Sequence, residues 1–149
     1  MHHTQKIAPV RLRILAFIEN IVINILFSWI ILPIFTLFPV VSRNMLASFA
    51  VMLSPLLIMA IIQSYFLTTR GQSIGKIHCG IKIVRYPDGG KAGFFRAVVL
   101  REILFRIFLF FGLGFVHLVD IFMLFLDKEH RALHDRVAGT IVVCVSETE

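Results

Sequence analysis

The sequence predicts an all-α membrane protein. The expected form is a small transmembrane helix bundle, with two full spans plus a bent, re-entrant or third-span helical segment and a short cytoplasmic β pairing. Three observations predict it. Hydrophobic residues make up 58% of the 149 residues and charged ones only 16%, and the mean hydropathy is +0.86. A soluble domain of this size keeps most residues at or near its surface and has nowhere to hide so much apolar area. Two apolar runs, about 14–33 and 45–67, each come close to the ~20 residues a helix needs to cross hydrocarbon. Between the apolar halves, Thr69 to Gly93 carries Arg70, Lys76, Lys82, Arg85 and Lys91 against one acid, Asp88. Loops rich in Lys and Arg stay on the cytoplasmic side.

In chain order, residues 1–13 are short and basic, and Pro9 can open a helix because its missing N–H is not needed there. The first span follows, with Pro33 and Pro39 at its ragged end and Trp29 where an interfacial aromatic belongs. A short connection, 40–44, holds one base, Arg43. The second span contains Pro55, tolerated if a neighbour satisfies the freed carbonyl. Three bases precede span one, one lies between the spans and five follow span two. That asymmetry places the N-terminus and the loop 68–93 inside and Arg43 outside.

Within the loop, Ile77–Tyr86 reads as a strand and PDGG at Pro87–Gly90 as a turn. The segment 94–126 is apolar but holds Arg96, Arg101, Glu102, Arg106, His117 and Asp120. Its first part, with Glu102 and Arg106 at i,i+4, suits the membrane interface. Gly112 and Gly114 then interrupt it. Either 107–126 is a third span or 94–126 bends and returns. The β-branched run 138–146 favours the return: it reads as a strand, and the available partner is Ile77–Tyr86. The tail 127–149 is then cytoplasmic too. The whole chain is read as one domain, 1–149.

Several function classes are disfavoured. The net charge of +6 comes from bases flanking apolar runs. That points to a bilayer with anionic lipids rather than to nucleic acid. Cys79 and Cys144 form no CxxC pair and are read as free thiols in a reducing compartment. His2 and His3 are too few for a tag, and no cleavable signal pattern is present. GQSIGK at Gly71–Lys76 lacks the Walker spacing and trailing Ser/Thr, and reads as a tight basic interfacial turn. No nucleophile or metal constellation supports an enzyme, and no cofactor is expected.

Four landmarks together resemble the RDD family of small bacterial integral membrane proteins. They are Arg13 in RLRILAFIEN, the loop GQSIGKIHCGIKIVR with its D-G turn, RAVVLRE, and the terminal LDKEHRALHDRVAGTIVV. The family is named for one Arg and two Asp. The resemblance maps the Arg to Arg13 and the C-terminal Asp to Asp135. The other Asp falls on Asn20, with Glu19 adjacent but about 100° away on a helix. The resemblance implies a multi-pass bacterial inner-membrane protein associated with transport, with no common substrate class.

The candidate site residues each carry two readings. Arg13, Asn20 and Asn24 share one helical face. With Glu19 they form either a polar or cation path, or helix–helix hydrogen bonds with Arg13 reaching the headgroups. Asn20 cannot titrate. Asp120, with His117 one turn earlier, is either a titratable group with a proton-relaying histidine or the partner of Arg13, Arg101 or Arg106. Asp135 is either a latch pairing with a base such as Arg13 or a cap that orders its loop. Arg70, Lys76, Lys82 and Arg85 are expected at lipid headgroups. The preferred function is transport of a cation, a proton or a small solute by a homo-oligomer. The alternative is an accessory or scaffold subunit for a partner membrane protein.

Overall fold

A computed structural model describes residues 6–37, 44–112 and 114–145. His2, His3, Pro39 and Arg43 lie outside them, so the reading of Arg43 on the far side falls outside the described residues. Two long helices, α1 (Val10–Thr36) and α2 (Met45–Arg70), pack against each other. At 1.5 Å per residue each is about 40 Å long, enough to cross a hydrocarbon core of about 30 Å. Both extend beyond the predicted runs. Asn44 starts α2 by accepting from Leu46 N (2.9 Å) and Ala47 N (3.4 Å). Pro55 removes the donor owed to Val51, and the Ser54 hydroxyl donates to Val51 O instead, at 2.8 Å. Gly71 ends α2 at φ +69, with its N–H on Leu67 O. A Cβ there would stand 2.4 Å from Ile83 O.

After α2 the chain forms α3 (Ile74–His78), then β1 (Ile81–Arg85). A nine-residue π-helix (Phe95–Ile103) runs directly into α4 (Leu104–Phe110). Gly112, at φ +75, turns the chain, and α5 (Phe115–Leu126) comes back. The short α6 (Leu133–Ala138) and β2 (Thr140–Cys144) complete the fold. β1 and β2 pair antiparallel, from Ile81 opposite Cys144 to Arg85 opposite Thr140. The segment 94–126 is therefore a hairpin rather than a continuous third span. The π-helix with α4 rises under about 25 Å and α5 about 18 Å, both short of the bilayer core.

The two predicted strands are real but shorter. Ile77 and His78 lie in α3 and Ala138 in α6. Short apolar runs carry no periodicity that separates strand from helix, which explains the misplaced edges.

The start of α1, the end of α2, the sheet and α6 all meet at one end of the bundle. Ala8 N donates to Val142 O (3.0 Å) and Ile83 N to Gly71 O (2.7 Å). Ala16, Leu67, Ile83, Ala97 and Val142 form the core there. Away from that end, protein covers little: only 6% and 11% of the most apolar windows of α1 and α2 are buried. Trp29 is 78% exposed. A surface of this character requires lipid as its solvent.

Candidate functional site

The site lies at the sheet end, where the chain gathers its buried charges. Asp135, on α6, is fully buried. Its Oδ2 accepts from Arg13 on α1 at 3.0 Å, and its Oδ1 pairs with Arg101 on the π-helix at 2.5 Å. The Thr140 hydroxyl, 3.3 Å from Oδ1, lies on β2. One carboxylate thus ties together the first span, the returning hairpin, the short helix and the sheet. Arg13 also donates to Val142 O at 3.2 Å. Burial alone would raise the Asp135 carboxyl, but Arg101, His134, Arg13 and Lys76 outweigh it and hold the group at about 2. Asp135 pairs with Arg13, as the latch reading named. It does not cap α6, whose N-cap position is Ala132.

His134 connects this cluster to the hairpin. Its Nδ1 lies 2.7 Å and 2.8 Å from the two oxygens of Asp120, and its backbone N–H donates to Oδ1 at 2.8 Å. The opposite ring nitrogen, Nε2, is 3.6 Å from Asp135 Oδ1. The imidazole therefore stands between two carboxylates. This corrects the expected pairing of Asp120 with His117. Instead, His117 sets its ring edge-on to Phe105, and its Nδ1 is buried without a hydrogen-bond partner. The arginines proposed for Asp120 serve elsewhere: Arg13 and Arg101 hold Asp135, and Arg106 reaches Glu102 at 3.3 Å.

Asn20 joins α1 to α3. Its amide donates to Ser73 Oγ (2.8 Å), and its Oδ1 accepts from Gly75 N (3.0 Å), satisfying a donor at the start of α3. Gly75 permits this approach, since a Cβ there would stand 2.4 Å from Ala16 O. Asn24 donates to Asn20 O, and Ser28 to Asn24 O, within α1. Glu19 faces His78 at 3.4 Å. These contacts match the hydrogen-bonding reading of the α1 polar face.

Lys76 is a second correction. It was expected at headgroups, but it is half-buried and its Nζ lies 3.5 Å from Ser73 Oγ. Burial, then Arg101, pushes its ammonium down to about 8, with Glu102 and Asp135 acting the other way. It belongs to the interior cluster because α3 lies against α1 rather than on the lipid surface. Arg85 is exposed and pairs with Asp88 in the turn. Arg70 stands over the Phe66 ring at 5.5 Å.

A crevice of about 230 Å³ opens between α1, α2 and the π-helix. Asn24, Gln63, Ser64, Glu102 and Arg106 give it polar walls within the apolar bundle. Among the described residues, no group of three His, Cys, Asp or Glu side chains is placed to hold a metal ion. Sequence reasoning missed Arg101 and Thr140 as partners of Asp135, and His134 as partner of Asp120. It also missed Gln63. The adjacency of His134 and Asp135 was visible, but the direction of each side chain was not.

The chain matches no curated protein and no solved structure. The family model of the RDD family matches residues 7–139. That range begins before Arg13 and ends after Asp135, so it encloses both ends of the buried ion pair, and this membrane protein belongs to the RDD family.

Proposed function

We propose that the protein transports a cation, a proton or a small polar solute across the bacterial inner membrane. In this reading the start of α1, the central loop and the sheet lie on the cytoplasmic side, as the basic loop requires. The observation that carries the reading is the His134 ring set between Asp120 and Asp135. The imidazole touches a partly exposed carboxylate on one side and a buried one on the other. A proton or cation arriving at Asp120 competes with His134 for that carboxylate. The change reaches Asp135, and through it Arg13 on α1 and Arg101 on the π-helix. The polar crevice beside Glu102 supplies a route partway into the bundle. Two spans and a hairpin do not enclose a pathway, so the working unit is a homo-oligomer.

The test is flux into proteoliposomes under imposed proton, sodium and potassium gradients. Wild-type protein carries flux, and Asp120→Asn and His134→Asn each lower it at least tenfold while remaining folded. Equal flux in all three proteins contradicts the reading. A second reading, an accessory subunit, is favoured by the bare apolar faces of α1 and α2, where Phe17 is 65% and Trp29 78% exposed. Absence of flux with every cation, together with a stoichiometric membrane partner on mild extraction, selects it.

A further inference from the structure

The Glu102–Arg106 pair stands at the opening of the crevice between α1, α2 and the π-helix. Glu102 belongs to the π-helix, and Arg106 follows one turn later on α4. Arg106 Nη2 donates to Glu102 Oε2 at 3.3 Å, yet the Arg106 side chain stays 66% exposed and that of Glu102 33%. A guanidinium carries five N–H donors, and this bond uses one of them. Depth makes the exposure costly. The crevice is lined along α2 by residues from Leu56 to Leu67. At 1.5 Å per residue, Gln63 and Leu56 lie about 10 and 20 Å below Arg70, the last residue of α2. The π-helix and α4 run inward from the sheet end, so Arg106 is the deeper member of its pair. Charged side chains at such depth face protein or water rather than lipid. Asn24 and Gln63 add polar groups from both spans, and the exposed apolar side chains of Leu56 and Ile103 share the same opening.

We infer that this opening is the contact surface between two copies of the chain. Charge selects that partner. One acid and one base, a turn apart, make a patch that is complementary to itself, as a two-fold interface requires. An anionic lipid would call for an excess of bases, and a cation for an excess of acids. Both copies insert with the same orientation, so the two-fold axis runs along the membrane normal. Helical side chains lean toward the N-terminus, and Arg106 reaches the level of Glu102 in its own copy. Across the axis, that level holds the partner's Glu102. Each guanidinium then spends its outward donors on a second carboxylate in a charge-assisted bond. Leu56 and Ile103 pack around the charges and keep lipid out, and each copy closes the other's crevice. This dimer supplies the homo-oligomer on which the proposed function rests, and its formation does not depend on flux.

The test is energy transfer in liposomes between full-length copies, labelled with donor or acceptor at Lys128→Cys in a Cys79→Ser, Cys144→Ser background. No other chain is present, so transfer above the random value at a low protein-to-lipid ratio reports contact between copies. Wild-type copies associate. Arg106→Glu copies alone, or Glu102→Arg copies alone, bring like charges together and associate at least about tenfold more weakly. Donor-labelled Arg106→Glu mixed with acceptor-labelled Glu102→Arg regains the association, because each acid then faces a base across the axis. Within either variant chain, positions 102 and 106 carry like charges. A pair that served its own chain alone would therefore gain nothing from mixing. Monomeric wild type, unimpaired single variants, or a mixture as weak as its components overturns the inference. Should a charge-reversed variant not fold, cross-linking with a short bismaleimide gives the answer in otherwise unreversed chains. Ile103→Cys copies become linked, and Phe122→Cys copies, exposed on α5, do not. Equal linking at the two positions, or none at Ile103→Cys, overturns the inference as well. Flux carried by a monomer would end this assignment and leave transport standing, whereas a dimer without flux does the reverse.

Discussion

Arg13 and Asp135 are 122 residues apart in sequence, yet their side chains meet at 3.0 Å in the interior of the fold. The contact fastens the entry to the first span onto the last short helix. Arg101 holds the other carboxylate oxygen, so a single negative charge balances two guanidinium groups from different segments.

Removing that one charge leaves both cations buried and facing each other. Asp135→Asn therefore destabilises the protein more than Arg13→Gln or Arg101→Gln, each of which leaves Asp135 one partner. Breaking a buried pair costs about 3–5 kcal/mol. Thermal or denaturant unfolding in detergent reads the ranking. Equal effects of the three variants would show that the cluster does not act as a unit.

The cluster also sets a dependence on acid. Asp135 is held at about 2 in the folded chain, below its ordinary 3.8. Its contribution is present above the unfolded value and is lost as pH falls through the folded one. Between about pH 4 and pH 2 the protein loses about 2 kcal/mol from this group. The measurement is melting temperature against pH, with Asp135→Asn as the variant lacking that slope.

Lys76 gives a slope of the same sign on the alkaline side. Its folded value is pushed down to about 8 from 10.5, so the unfolded chain binds more protons between those values and stability rises with pH there. Lys76→Met removes this rise and is more stable than wild type at pH 7. A wild-type profile that is flat from pH 8 to 10 would contradict the interior placement of Lys76.

Asn20 and Gly75 form a mechanical joint between α1 and α3. Gly75→Ala places a Cβ 2.4 Å from Ala16 O and forces the segments apart, at a cost of about 1–3 kcal/mol. Asn20→Ala leaves the Gly75 N–H and the Ser73 hydroxyl without this partner, costing about 1–3 kcal/mol. Because the two act on one joint, the double variant loses less than the sum, which unfolding measurements on the four proteins establish.

Much of the fold was legible because apolarity and length announce a bilayer-crossing helix without any tertiary information. The β-branched runs announced a strand pair, and the need for a shared sheet announced the return of 94–126. Arg13 and Asp135 were found through their motifs. Side-chain direction was less legible. Asp120 lies one helical turn from His117 in sequence, but the loop after α5 brings His134 to it instead, and no periodicity encodes that path. Lys76 looked like a headgroup base because its neighbours in sequence are bases. The five-residue helix that turns it inward is too short to show a pattern. The π-helix that presents Arg101 likewise has no composition of its own.

The central claim is that the chain crosses twice, then enters and returns, so that loop, sheet and tail share one face of the membrane. Impermeant maleimide labelling of single-cysteine proteins in oriented vesicles tests it most directly. The background is Cys79→Ser, Cys144→Ser, and the probes are Asp88→Cys, Lys128→Cys and Met45→Cys. The account predicts that the first two are labelled from the same side and the third from the opposite side. Labelling of Asp88→Cys and Lys128→Cys from opposite sides would contradict it.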